Sequence, residues 1–375
     1  MTILIFILVI VALIVVHEFG HFVAAKLSGM RVDEFGIGYP PRALTIAEAG
    51  ETTYTLNWLP FGGFVKIYGE DGLEHSPNVR PTAREAGRLG VAFSQKNRFI
   101  QALVLIAGIA MNLLFAYALI TGALIAGTPR ALADSELASA KNIELMVASV
   151  LPGTPAFTAG LLSGDSIISA KDAKGEWSAA DPKSFSAFIA ASAGGEVALT
   201  IKRGSVERVI MATPAEGISP SDPFRFALGL EVAPVGVLPL SLSAAIAQGA
   251  HLTWSATRDT AVGLGHFFYG VFTLSADFSQ VAGPVGIAGV VGSASSQSFG
   301  DLLSIMAIIS INLALINLLP VPALDGGRLL FVIIESVIRR PIKRSIAHSI
   351  NMAGFAFLIL LMVAVTAHDI FKIVG

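Results

Sequence analysis

The chain has 375 residues, 54% of them hydrophobic and only 14% charged, with a mean hydropathy of +0.71. That balance points to a membrane protein, and a net charge of −2 excludes a generally basic surface of the kind that coats nucleic acid. Cysteine is absent, so disulfides and thiolate ligands are excluded and any metal must be held by His, Asp or Glu.

The first element is the one that carries chemistry. Met1–Val16 holds no charge, and apolar residues resume after His21, so Thr2–Ala25 is long enough to cross a bilayer as a helix. It has no basic leading region and is not expected to be a cleavable signal peptide. Its interruption is His17-Glu18-Phe19-Gly20-His21, an H-E-x-x-H run. On a helix, Glu18 lies about 100° and His21 about 40° from His17, so both imidazoles can reach one metal ion with the carboxylate beside it. A zinc ion there makes water acidic, and Glu18 is placed to take the proton during attack on an amide carbonyl. The plainer alternative is a pair of interfacial histidines, but ionisable groups inside an apolar span are costly and by default functional.

Lys26–Arg98 is polar and carries nine Lys and Arg residues. Ala43–Glu48 and Thr52–Leu56 alternate around Ala49-Gly50-Glu51 as a hairpin, and Trp58–Ile67 continues as an aromatic strand broken by Gly62 and Gly63. Such a segment either offers an edge to an extended peptide or merely covers the helix end. Asp71–Gly90 is predicted to be a mobile loop. Phe99–Ala126 is the second span. Asn112 near its middle, one turn after Gly108, is either interhelical glue or part of a site.

From Thr128 the composition turns soluble. The run Pro152-Gly153-Thr154-Pro155-Ala156, Ala159-Gly160-Leu161 and Gly164-Asp165-Ser166-Ile167 resembles a PDZ domain of the bacterial type, with bounds of 128–220. That likeness implies a groove binding a peptide C-terminus by strand addition; a spacer without ligand is the alternative. The segment has no His, and its acidic residues are expected in turns or on solvated strands. Residues 221–300, and Ser241–Phe278 in particular, are predicted as amphipathic helices on the membrane surface.

Leu302–Leu319 is the third span. It ends in Asn317-Leu318-Leu319-Pro320-Val321-Pro322-Ala323-Leu324-Asp325-Gly326-Gly327, where prolines unwind the helix and leave Asp325 in an apolar setting beside two flexible glycines. Ile346–Ala367 is the fourth span, and the loop before it is basic, hence cytoplasmic. With four spans, the first and third run parallel and Asp325 falls on the side of the histidines; a fifth span would put it on the other side. The expected architecture is a polytopic α-helical membrane protein of four transmembrane helices, with a membrane-associated β-hairpin and one inserted PDZ-like α+β domain.

H-E-x-x-H in the first span, N-x-x-P-x-P-x-L-D-G-G after the third and a PDZ-like insert together resemble the site-2 protease family of intramembrane zinc metalloproteases. The resemblance covers nearly the whole chain. It implies zinc held by His17, His21 and Asp325, with Glu18 as catalytic base. It implies that Asn317, Gly62, Gly63 and Phe64 meet substrate, and Asn112, Pro320 and Pro322 are grouped with them. It further implies a bacterial inner-membrane enzyme, its site toward the cytoplasm and its PDZ-like domain periplasmic. Its substrates would be single-span membrane proteins of the anti-sigma-factor kind, already trimmed by an earlier protease. The best-known members carry two tandem PDZ domains, whereas one is found here. A membrane scaffold with a structural metal is the main alternative, but a structural site needs no base beside it. A metal transporter is disfavoured by the lack of internal repeats.

Overall fold

The computed structural model describes residues 2–70, 91–204, 206–218, 222, 224–238, 240–273, 275 and 282–374. The loop expected over Asp71–Gly90 lies outside them. The chain divides into two units, one formed by Met1–Ala126 with Leu242–Gly375 and the other by Gly127–Ser241.

The first unit is built on helices. Among the described residues four helices are long and apolar enough to cross a membrane: Thr2–Leu27, Arg98–Ala126, Phe299–Leu318 and Ser345–Phe371. They belong to α1 (Thr2–Leu27), α2 (Arg98–Ala126), α7 (Phe299–Leu318) and α9 (Arg344–Val374), and agree with the spans read from hydropathy. Between α1 and α2 stands an antiparallel hairpin of β1 (Val32–Ala49) and β2 (Thr52–Ile67), which turns at Gly50, where φ is +62°. The first strand begins at Val32 rather than in the low forties, because Val32 and Phe35 are drawn into the core beside Ile67 and Phe22. Beyond it, Leu44, Ile46, Leu56 and Trp58 are exposed, an apolar face such as a protein shows to lipid.

The stretch expected as several surface helices is mainly one helix, α5 (Leu242–Phe272), followed by α6 (Pro284–Gln297). Small residues explain its continuity. Gly249 meets Thr121 of α2 at a distance no side chain would allow, and Ala256 joins a core of Ala116, Leu119, Ala307 and Ile311. Helix α8 (Asp325–Ile338) lays Val332 and Leu329 against Val104 and Leu105 of α2, with Glu335 paired to Arg98 at 2.8 Å.

The inserted unit is a sheet in the order β3-β9-β4-β5-β7-β8, with β6 paired to β5. Its strands are β3 (Arg130–Ala131), β4 (Lys141–Val150), β5 (Ser166–Lys171), β6 (Glu176–Trp177), β7 (Val197–Arg203), β8 (Val206–Ala212) and β9 (Leu230–Val237). Two helices accompany them, α3 (Pro155–Thr158) and α4 (Pro182–Ala191), the latter capped by Asp181 on the amides of Lys183 and Ser184. The unit runs to Ser241, past the bound of 220, because β9 supplies the strand between β3 and β4. Leu145, Val147, Leu199 and Ile201 form its fully buried centre.

Candidate metal centre

Helix α1 reaches the site without a charged residue before Glu18, so the polar groups of its last three turns stand out against apolar packing. His17 and His21 are both buried, at 6% and 7% exposure, and their rings meet edge to face at 4.8 Å. One helical turn separates them and turns both Nε2 atoms to the same point, 3.2 Å apart.

The third corner comes from 304 residues further along. Thr2 lies against Gly292, shortly before α7, while His17 and His21 meet Asp325 just after it, so α1 and α7 run in the same sense. Asp325 opens α8, in the first turn, where the helix N-terminus favours an anion. The chain between α7 and α8 folds back tightly: Val321 N–H donates to Leu319 O and Leu324 N–H to Val321 O. A Cβ on Gly326 would fall 2.3 Å from the carbonyls of Leu318 and Leu319, and one on Gly327 equally close to Val321 O. These glycines therefore serve close backbone approach rather than flexibility.

Asp325 Oδ2 stands 2.9 Å from His17 Nε2 and 3.1 Å from His21 Nε2. Three donor atoms thus mark a triangle with edges of 2.9–3.2 Å. Donors bound tetrahedrally at about 2.0–2.1 Å sit about 3.3 Å from one another, so the triangle has the size of one face of a zinc site. Two imidazoles and one carboxylate, with no thiolate, are also the donor set of catalytic rather than structural zinc. Lone pairs converging this way repel unless a cation or a proton stands among them, and these residues fit the cation.

Glu18 is not in the triangle. Its Oε2 accepts the Val65 N–H at 3.1 Å, which holds the carboxylate beside the donors at the edge of β2. The approach needs Gly62 and Gly63, which are buried against Ile14, Val15 and the Glu18 stem. Phe64 lies over Gly36 and stacks on Tyr39. Asn317 is half-buried at the end of α7, Pro320 is exposed, and Pro322 stands against Gly354 of α9.

Asn112, expected among the substrate contacts, is instead 0% exposed, and its amide faces His17 Nδ1 at 3.1 Å. Two further participants escape sequence reasoning because they are backbone groups: Val65 N–H, and the Val104 carbonyl, which accepts from His21 Nδ1 at 2.8 Å. Gly108 did carry a signal in its place one turn before Asn112. A Cβ there would lie 2.4 Å from His21 Nε2 and 2.9 Å from His17 Cε1.

A family model described as peptidase family M50 matches residues 5–361. A Clostridium perfringens protein with a provisional zinc metalloprotease name is 34% identical over 96% of this chain and 95% of its own length. A similarly named Nostoc protein is 33% identical over 96% and 93%. The zinc metalloprotease RasP of Geobacillus kaustophilus is 30% identical over 98% of this chain and 97% of its own.

Proposed function

The chain belongs to peptidase family M50 and is a membrane zinc metalloprotease, and from that premise we propose that it cuts single-span membrane proteins within or next to their transmembrane segment. The observation that carries this reading is the donor triangle of His17, His21 and Asp325 with Glu18 held beside it, on a helix that has no charged residue before Glu18.

In this reading His17, His21 and Asp325 are the zinc ligands. Zinc supplies the positive charge that polarises a scissile carbonyl and makes water acidic. Glu18 takes the water's proton and returns it to the leaving amine. A helical substrate hides its carbonyls in its own hydrogen bonds, so it must be held extended. Support for a binding edge comes from Val65, whose N–H points away from β1 toward Glu18, so that side of β2 runs beside the base. Asn317, Pro320 and Pro322 belong to the same substrate path.

The topology we propose has four spans in the bacterial inner membrane. The basic stretches Lys26–Arg98 and Pro320–Ser345 face the cytoplasm and the inserted unit faces the far side. The common sense of α1 and α7 is what this arrangement requires. The inserted unit acts as a PDZ-like gate that admits substrates trimmed by an earlier cleavage, such as an anti-sigma factor in envelope signalling. Its support is a cleft of about 260 Å³ between α4 and β9, lined by Phe185, Ile189, Leu228, Leu230 and Val232 with Arg225 at its rim.

Co-expression with tagged, pre-trimmed membrane proteins of the anti-sigma kind tests the reading. The parent should cleave them, while Glu18→Gln should keep its zinc and cleave about 10²–10⁴-fold more slowly, the span of general-base catalysis. Parental cleavage by Glu18→Gln would remove the base assignment.

A further inference from the structure

Three successive turns of α2 stand behind the two imidazoles. Val104, Gly108 and Asn112 are four residues apart and share one face of the helix. Val104 contributes a carbonyl to His21, Gly108 the space for both rings, and Asn112 a side-chain amide to His17. Asn112 is itself keyed in place, since its backbone carbonyl accepts the hydroxyl of the fully buried Ser310 of α7 at 2.8 Å.

As a neutral ring, the form a metal ligand takes, His21 has one arrangement. A carbonyl only accepts, so the ring proton is on Nδ1 and the Nε2 lone pair faces Asp325 and His17. For His17 the outcome depends on which end of the Asn112 amide faces the ring. With Nδ2 toward Nδ1, the amide donates, the ring proton moves to Nε2, and the lone pair a metal needs is lost. Turning the amide by half a revolution keeps the shape of the side chain, gives Oδ1 the Nδ1 proton, and frees Nε2. Both histidines then follow one pattern, each giving its Nδ1 proton to an oxygen of α2, as ligating histidines generally do.

On the reading of His17, His21 and Asp325 as zinc ligands, we propose that Asn112 is a positioning residue whose Oδ1 accepts the His17 Nδ1–H and so selects the ring form that binds zinc. Helix α2 is then the template of the metal centre, although it supplies no ligand.

The test is zinc affinity of the purified full-length protein in detergent, titrated against a chelator. Asn112→Leu, similar in size but without an acceptor, should weaken zinc binding by about 10- to 100-fold. Asn112→Asp, when ionised, can only accept, and at a pH where zinc holds it ionised it should match or exceed the parent. Equal losses in the two variants would overturn the proposal, because the donating end of the amide would then be the one that matters. An Asn112→Leu protein that binds zinc like the parent would overturn it too. The Asn112→Asp result stands whether or not the leucine variant folds. His21→Ala in the same titration separates the two levels. If it also binds like the parent, the ligand reading fails; if it loses zinc beside an unaltered Asn112→Leu, only the role of Asn112 falls.

Discussion

The two units put their polar residues to different uses. In the inserted unit the core is apolar throughout, and buried polarity is confined to holding turns, as where Arg203 grips Asp165 through Nε and Nη2, both at 2.7 Å. The helical unit also buries polar groups that hold the fold, as where Gln101 donates to the carbonyls of Phe93 and Lys96, but there His17, His21 and Asn112 converge on one point. Polarity in the first case serves the fold. In the second it also gathers the candidate metal donors, and small residues make room for them.

That contrast makes three predictions. The largest effect belongs to Gly108→Val. Its side chain would enter the space of both rings, at a strain of about 1–3 kcal/mol, and zinc affinity should fall by about 10- to 100-fold or more. Chelator titration measures it, and parental affinity would show that the rings do not depend on α2.

Next is Asp165. It sits at a turn, as expected for acidic residues of this segment, but is 1% exposed. Burial pushes its carboxyl up, but the Arg203 guanidinium and the Leu162 amide outweigh this and hold it below the usual value. The folded group therefore keeps its charge at a lower pH than the unfolded one. Its contribution is complete above about pH 4 and is lost as pH falls through the lowered folded value. Asp165→Asn should cost the inserted unit about 1.5–3 kcal/mol near neutrality and flatten this acid dependence. Amide exchange in β5 and β7 of the whole protein reads both, with zinc affinity unmoved.

The smallest effect at the site should follow from replacing residues 127–241 by a linker. Zinc binding and cleavage of pre-trimmed substrate should persist, while untrimmed substrate becomes acceptable. A deletion that inserts and holds zinc yet cleaves nothing would recast the unit as a required dock.

Much of the site was legible because its strongest signals are local. The spacing of His17, Glu18 and His21 is a property of one helix, and the four spans follow from hydropathy over windows of their own length. Asp325 could be placed only by counting spans, because its proximity to the histidines depends on the sense of α7. The cradle in α2 was half legible. Gly108 and Asn112 stand four residues apart, but an Asn in a span looks the same whether it faces a neighbour's backbone or an imidazole. Val65 and Val104 act through backbone atoms, on which side-chain identity has no bearing. The end of the inserted unit was missed because β9 pairs with β4, about 85 residues earlier, and no local pattern reports such a pairing.

The sequence separation of 304 between His21 and Asp325 also bears on how the protein is made. Closing so long a loop is entropically costly, and the contact arises only after Asp325, at the start of α8, has been synthesised. A nascent chain that has delivered α1 and α2 owns two imidazoles and a base but lacks the third donor. On the reading of these residues as zinc ligands, the enzyme would stay inert until α8 is made, and a metal seated there would clasp α1 to α8.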